Sequence, residues 1–173
     1  MTEVNAFPFP GEVGYSAEQA AVPFVGEDGA LSDMAKDEVR DGFTTFAAAV
    51  SRTAHAHGWW SDDDGNFKDR NMGEMLMLMV SELSEALEAY RNGEPVLWYK
   101  HDDPDNCSLD VSATMREIGG VPGKPEGIAS EFADCIIRIL DTCETHKIPV
   151  VQALLDKHAF NITRPYRHGG KVC

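Results

Sequence analysis

The chain has 173 residues, enough for one domain with a sizeable core, and its apolar content is an ordinary 43%. Its 29 acidic and 15 basic residues give a net charge of −14. That balance excludes a nonspecific binder of nucleic-acid polymers or anionic membranes, which needs a positive surface. It leaves room for a small anionic substrate approached through metal ions and a local basic cluster. Mean hydropathy is −0.29, so a soluble globular protein is expected. The opening MTEVNAFPFPGEVG lacks the charged and apolar regions of a signal peptide. The longest apolar run, residues 75–80, is too short to span a bilayer. Cys107, Cys135, Cys143 and Cys173 form no CxxC pair, so free thiols in a reducing cytoplasm are expected.

Residues 1–30 mix Pro, Gly, Ala and acids with scattered aromatics, and no period holds. They predict an irregular N-terminal extension, disordered or packed on a partner subunit. The main domain is expected over 31–168. Ser32 or Asp33 caps a first helix that runs to about His57, with Phe43, Phe46, Ala47 and Val50 as its apolar stripe. Gly58 ends it. The segment GWWSDDDGNFKDRN follows as a polar loop. Its acid run at 62–64 reads as solvated, because no glutamate stands where a calcium loop requires one. Trp59 and Trp60 either plug the end of a bundle or stack on a planar ligand such as a nucleobase. A second helix covers about 70–92, stopped by Gly93 and Pro95. Residues 95–123 read as a long loop insertion with a β-prone patch at 96–99 and room for a small hairpin. A third helix starts after Lys124-Pro125 and runs to about His146. A fourth runs from Val150 to about Thr163, and residues 169–173 form a tail.

The second and third helices carry the chemistry. Glu82, Glu85 and Glu88 recur every three residues in MLMLMVSELSEALEAYR, which stacks them along one side of a helix. Glu131 and Asp134 repeat the spacing in SEFADCIIRIL. Apolar residues extend far round both helices, which predicts central positions in a bundle. Buried carboxylates need partners or a metal, since an unpaired charge there costs several kcal/mol. Oxygen-only ligation points to Mg²⁺, with Mn²⁺ able to substitute. Arg138, one turn after Asp134, offers a rival explanation as an intrahelical ion pair. No Glu-x-x-His occurs, which argues against di-iron chemistry. No P-loop, dinucleotide fingerprint, HExxH or GxSxG is present either. His55 and His57, two apart, point in different directions from a helix and read as surface residues. Lys157, Asn161, Arg164, Tyr166 and Arg167 lie along the last helix and the basic segment after it. They suit a polyphosphate, or else simply complement the helix dipole.

ExxExxE at Glu82, Glu85 and Glu88, then ExxD at Glu131 and Asp134, then Lys157-xxx-Asn161, resembles the MazG-like all-α nucleoside triphosphate pyrophosphohydrolases. So do SELSEALEAYRNG, KPEGIASEFAD and NITRPYRHGGK. The match covers about Gly58 to Lys171, and the combination resembles small stand-alone phage and bacterial members. The resemblance implies an all-α four-to-five-helix bundle, assembled as a homodimer or homotetramer with the site completed across subunits. It implies hydrolysis of an NTP or dNTP to the monophosphate and pyrophosphate. Glu82, Glu85, Glu131 and Asp134 match the metal ligands, and Lys157 and Asn161 match phosphate-side residues. Arg164, Tyr166 and Arg167 are additions to that set. The segment holding Trp59 and Trp60 lies where such proteins often contact the base. One departure is that Ser81 precedes Glu82, where many members have paired glutamates.

The expected reaction is attack of water on a phosphorus of the substrate, with Glu82 or Glu85 orienting the water as base; α- and β-attack both stay open. Two tryptophans suit a purine, and phage-type relatives reshape deoxynucleotide pools, which favours a purine dNTP such as dGTP over dCTP, dUTP or broad specificity. The rivals in function are a nucleotide- or metal-binding sensor without turnover and an acidic helical interaction protein.

Overall fold

The computed structural model describes residues 24–101, 117–118 and 121–165. Among these it is mainly helical, with four helices and two small two-stranded sheets. In chain order they are α1 (Asp33–Ala56), α2 (Met72–Arg91), β1 (Trp98–Lys100), β2 (Glu117–Ile118), β3 (Val121–Pro122), β4 (Lys124–Glu126), α3 (Ile128–Thr145) and α4 (Val150–Ile162). Two compact units are distinguished, one formed by Met1–Gly42 with Val151–Cys173, the other by Phe43–Val150.

Within the first unit, residues 24–32 form a tight turn closed by a Val25–Leu31 bridge, and Ser32 caps α1 by accepting from the Ala35 N–H at 3.2 Å. The His158 ring on α4 hydrogen-bonds the Gly29 carbonyl at 2.9 Å. Lys157 and Arg164 both lie over the Phe160 ring, at 5.7 and 5.2 Å from its centre.

The second unit is built on α2 and α3. They run antiparallel: Ala86 and Ala89 cluster with Ile128 at one end, and Glu82 meets Arg138 further along. Asn71 caps α2 through the Glu74 N–H, and Gly93 follows its end with φ +68°. The β-prone patch finds a distant partner. Trp98, Tyr99 and Lys100 pair with Glu126, Pro125 and Lys124, which delays the start of α3 to Ile128. β2 and β3 make the small hairpin expected in the loop. Gly127 joins β4 to α3 at φ +89°. A Cβ there would sit 2.9 Å from the Val96 carbonyl oxygen and closer still to that of Pro95, so only glycine lets the Ala129 N–H reach Val96.

The central positions expected for α2 and α3 are met only in part among the described residues. Leu76, Val80, Leu83 and Leu87, spaced 4, 3 and 4 apart on α2, are each about half exposed, as are Phe132 and Ile136 on α3. Among the described residues nothing encloses these apolar stripes. No helix among the described residues is long and apolar enough to cross a membrane. Cys135 and Cys143 are free and buried, and burial pushes the Cys143 thiol up. Cys107 and Cys173 lie outside the described residues.

Candidate metal centre and adjoining cavity

The antiparallel pairing of α2 and α3 brings the two acidic motifs to the same level. One carboxylate oxygen each from Glu82, Glu131 and Asp134 lies within 4.8 Å of the others. Glu82 is buried, Glu131 partly so, and Asp134 is exposed. Burial is the largest influence raising the Glu131 carboxyl above its ordinary range, followed by the charges of Glu85, Asp134, Glu82 and Glu126. Asp134, although exposed, is raised as well, by partial loss of water at the helix surface first and then by the charge of Glu82. Carboxylates held this close without enough compensating charge can take up a hard divalent cation through oxygen alone. The residues present therefore fit such an ion.

Glu85 lies outside that trio. It is exposed one turn beyond Glu82, near enough for its charge to act on Glu131. Glu88 is exposed too. Arg138 forms a different ion pair from the intrahelical one that stood as the rival explanation. Its Nε donates to Glu82 Oε1 across the helix pair at 2.6 Å, rather than bonding Asp134 on its own helix. The interhelical bond wins because Glu82 is buried and needs a partner more than exposed Asp134 does.

Lys124, on β4, joins the site although the sequence alone does not single it out. Its ammonium bonds Glu126 at 2.8 Å, the main cause of its raised pKa, and the charges of Glu131 and Asp134 add to the shift. The side chain is therefore a cation on the rim of the acidic cluster. The signal was there in the phrase KPEGIASEFAD, but only the β1–β4 pairing fixes Lys124 beside the start of α3.

The two tryptophans separate. Trp60 is wholly enclosed. Its indole N–H donates to both carboxylate oxygens of buried Asp141, at 3.1 and 2.9 Å. The rings of His55 and Phe67 stack on it at 6.1 Å, His146 meets it edge-on at 5.6 Å, and Arg70 lies over it. In this arrangement Trp60 has no face open to a ligand. It latches the loop after α1 onto α3. Trp59 is about half exposed and helps to line a cavity of about 310 Å³ among α1, α2 and α3. The walls are mostly apolar, including Val50, Met75, Leu78 and Ile137, with Arg70, Arg138 and Asp141 as charged members. Asp141 is held above the usual carboxylate range by burial, against the opposing effect of its Trp60 hydrogen bond. The acid run at 62–64 acts locally, where Asp62 accepts from the N–H groups of Asp64 and Asn66 and closes the loop. Those bonds hold its carboxyl low, that of Asn66 foremost.

Lys157 and Asn161 lie four residues apart on α4, both exposed, and Arg164 follows the helix; all three belong to the first unit. Tyr166 and Arg167 lie outside the described residues. No protein-family model matches the chain, and neither a curated protein nor a solved structure matches it significantly.

Proposed function

We infer that the chain is a metal-dependent nucleoside triphosphate pyrophosphohydrolase of the MazG-like all-α type, releasing monophosphate and pyrophosphate. The observation that carries this reading is the convergence of Glu82, Glu131 and Asp134 from two helices, with Lys124 at the rim and a Trp59-walled cavity alongside. Glu82, Glu131 and Asp134 hold Mg²⁺ or Mn²⁺. Such an ion supplies Lewis-acid charge to phosphate oxygens and lowers the pKa of an attacking water. Exposed Glu85 orients that water and accepts its proton. Lys124 neutralises a phosphate oxygen. By the resemblance alone, Lys157 and Asn161 belong to the phosphate side, with Arg164, Tyr166 and Arg167 as additions to that set. The base stacks on Trp59 inside the cavity, where apolar walls favour a flat aromatic ring. A purine deoxynucleotide such as dGTP remains the favoured substrate. The enzyme works in the cytoplasm.

The test is a panel of the common NTPs and dNTPs, plus dUTP, with Mg²⁺ or Mn²⁺, products separated chromatographically. Phosphate is assayed with and without added pyrophosphatase. Monophosphate plus pyrophosphate from one or two substrates is expected. Diphosphate plus phosphate would overturn the assigned reaction, and magnesium-dependent binding without turnover would favour a sensor. On the preferred substrate, Trp59→Ala should raise KM with little change in melting temperature. Stacking of a base on an aromatic ring is worth about 1–3 kcal/mol, so an increase of roughly 5- to 150-fold is expected.

The same reading includes a homodimer or homotetramer, in which a second copy covers the apolar stripes on α2 and α3. Contiguous exposed apolar surface of this kind marks association sites. Leu83→Glu would place a charge in the middle of the α2 stripe. Sedimentation should then move from an oligomer to a monomer; an unchanged oligomer would remove α2 from the interface.

A further inference from the structure

Arg138 belongs to two neighbourhoods at once. Its Nε donates to Glu82 at 2.6 Å, and Glu82 is also a member of the carboxylate trio. The same guanidinium lies 5.7 Å from the centre of the Trp59 ring, and the side chain lines the cavity that Trp59 walls. Glu82 therefore has two claimants, a guanidinium already in place and any divalent ion that enters the trio.

We propose that Arg138 is a positioning residue that couples cation occupancy of the Glu82–Glu131–Asp134 cluster to the Trp59-walled cavity. It holds Glu82 while the cluster lacks an ion, and gives it up when one binds. The freed guanidinium then stays on the Trp59 side, where it meets the ring and the anionic part of a nucleotide. The inference rests on the cation-site reading above and adds how that site communicates with the base pocket.

The physical case has three parts. Glu82's side chain is only 6% exposed and cannot do without a counter-charge, whereas Arg138 is 26% exposed and has a route to solvent, so Arg138 is the easier partner to move. One guanidinium carries one charge against three carboxylates, so it cannot match a divalent ion that reaches all three. A guanidinium also stacks on an indole face, so releasing Glu82 need not leave it without a favourable contact. Coupling of this kind is reciprocal: the ion weakens the Arg138–Glu82 pair by the factor by which that pair weakens ion binding.

The experiment uses the full chain and Mn²⁺ alone, without nucleotide. Affinity is measured by calorimetry, and Trp59 emission is isolated by subtracting the signal of Trp59→Phe. In the unmodified chain Mn²⁺ should change Trp59 emission. Arg138→Gln removes the competitor, so it should bind Mn²⁺ about tenfold more tightly and lose the Trp59 response. Arg138→Lys keeps the charge but not the flat stacking group, so affinity should stay near that of the unmodified chain while the Trp59 response falls. A merely structural arginine would instead weaken Mn²⁺ binding in both variants along with the melting temperature. Equal or weaker affinity in a folded Arg138→Gln, or an unaltered Trp59 response, overturns the coupling. Should Arg138→Gln not fold, an unaltered Trp59 response in Arg138→Lys overturns it equally. If Mn²⁺ binding is intact and lost in Glu82→Gln while neither Arg138 variant has an effect, the coupling alone fails. If the unmodified chain takes up no Mn²⁺, or Glu82→Gln takes it up undiminished, the cation-site reading itself fails and the coupling with it.

Discussion

Glu82→Gln should cut metal-dependent hydrolysis by at least about 100-fold, because loss of a group that merely supports a metal ligand already costs 10- to 100-fold. Asp134→Asn should do the same without disturbing the fold, since Asp134 is exposed and Arg138 bonds Glu82 instead. Circular dichroism separates lost chemistry from lost structure. Full turnover in folded Glu82→Gln and Asp134→Asn would end the proposed site.

The same carboxylates set a pH dependence. Folding raises Glu131 and Asp134 above their ordinary values, through burial first and neighbouring charge second. Between the ordinary and raised values the folded state holds more protons than the unfolded one, so stability falls as pH rises through that window. From these two groups, the metal-free protein should be more stable at weakly acidic than at neutral pH, against the usual trend for paired carboxylates. An added divalent ion removes the repulsion, so the gain in melting temperature with Mg²⁺ should be larger at the higher pH. Thermal unfolding with Mg²⁺ and with a chelator, at both pH values, checks this. A Mg²⁺ gain that is equal or smaller at the higher pH would mean that the trio is not the binding site.

Trp60→Ala should have the largest effect on stability, about 3–5 kcal/mol, as expected when a large enclosed aromatic is truncated. For a chain of this size that lowers the melting temperature by roughly 6–20 °C. The cost has two sources. One is the void left among His55, Phe67 and His146; the other is Asp141, whose buried carboxylate loses its N–H donor. Trp60→Phe separates them, keeping most of the ring volume and losing only the hydrogen bond. It should cost about 1–3 kcal/mol. Urea unfolding of both variants beside Trp59→Ala tests the division of labour between the two tryptophans. Equal losses at 59 and 60 would contradict it.

Much of this molecule was legible in its sequence because the signals are local. Ser32 caps α1, and Gly58 and Gly93 stop helices where their positive φ angles are needed. The i, i+3 spacing of Glu82 with Glu85 and of Glu131 with Asp134 put each acidic pair on one helix side before any contact was known. Local spacing could not tell which acids from different helices meet. The antiparallel packing of α2 on α3 did that, bringing Glu82 to Glu131 and Asp134 and leaving Glu85 outside. Nor could it give Arg138 its partner, since an intrahelical pair with Asp134 and a bond across to Glu82 are equally consistent with the sequence. Burial chose the second. Lys124 reached the cluster only through a strand pairing that spans residues 98–126, and Trp59 and Trp60, adjacent in sequence, parted because the chain turns between a cavity and the Asp141 latch. The sequence by itself determined where the helices are and which residue types they carry, because helix formation depends on neighbours within a turn. The tertiary structure decided which charges face each other and which aromatic is buried, because those depend on desolvation and on contacts between residues far apart in the chain.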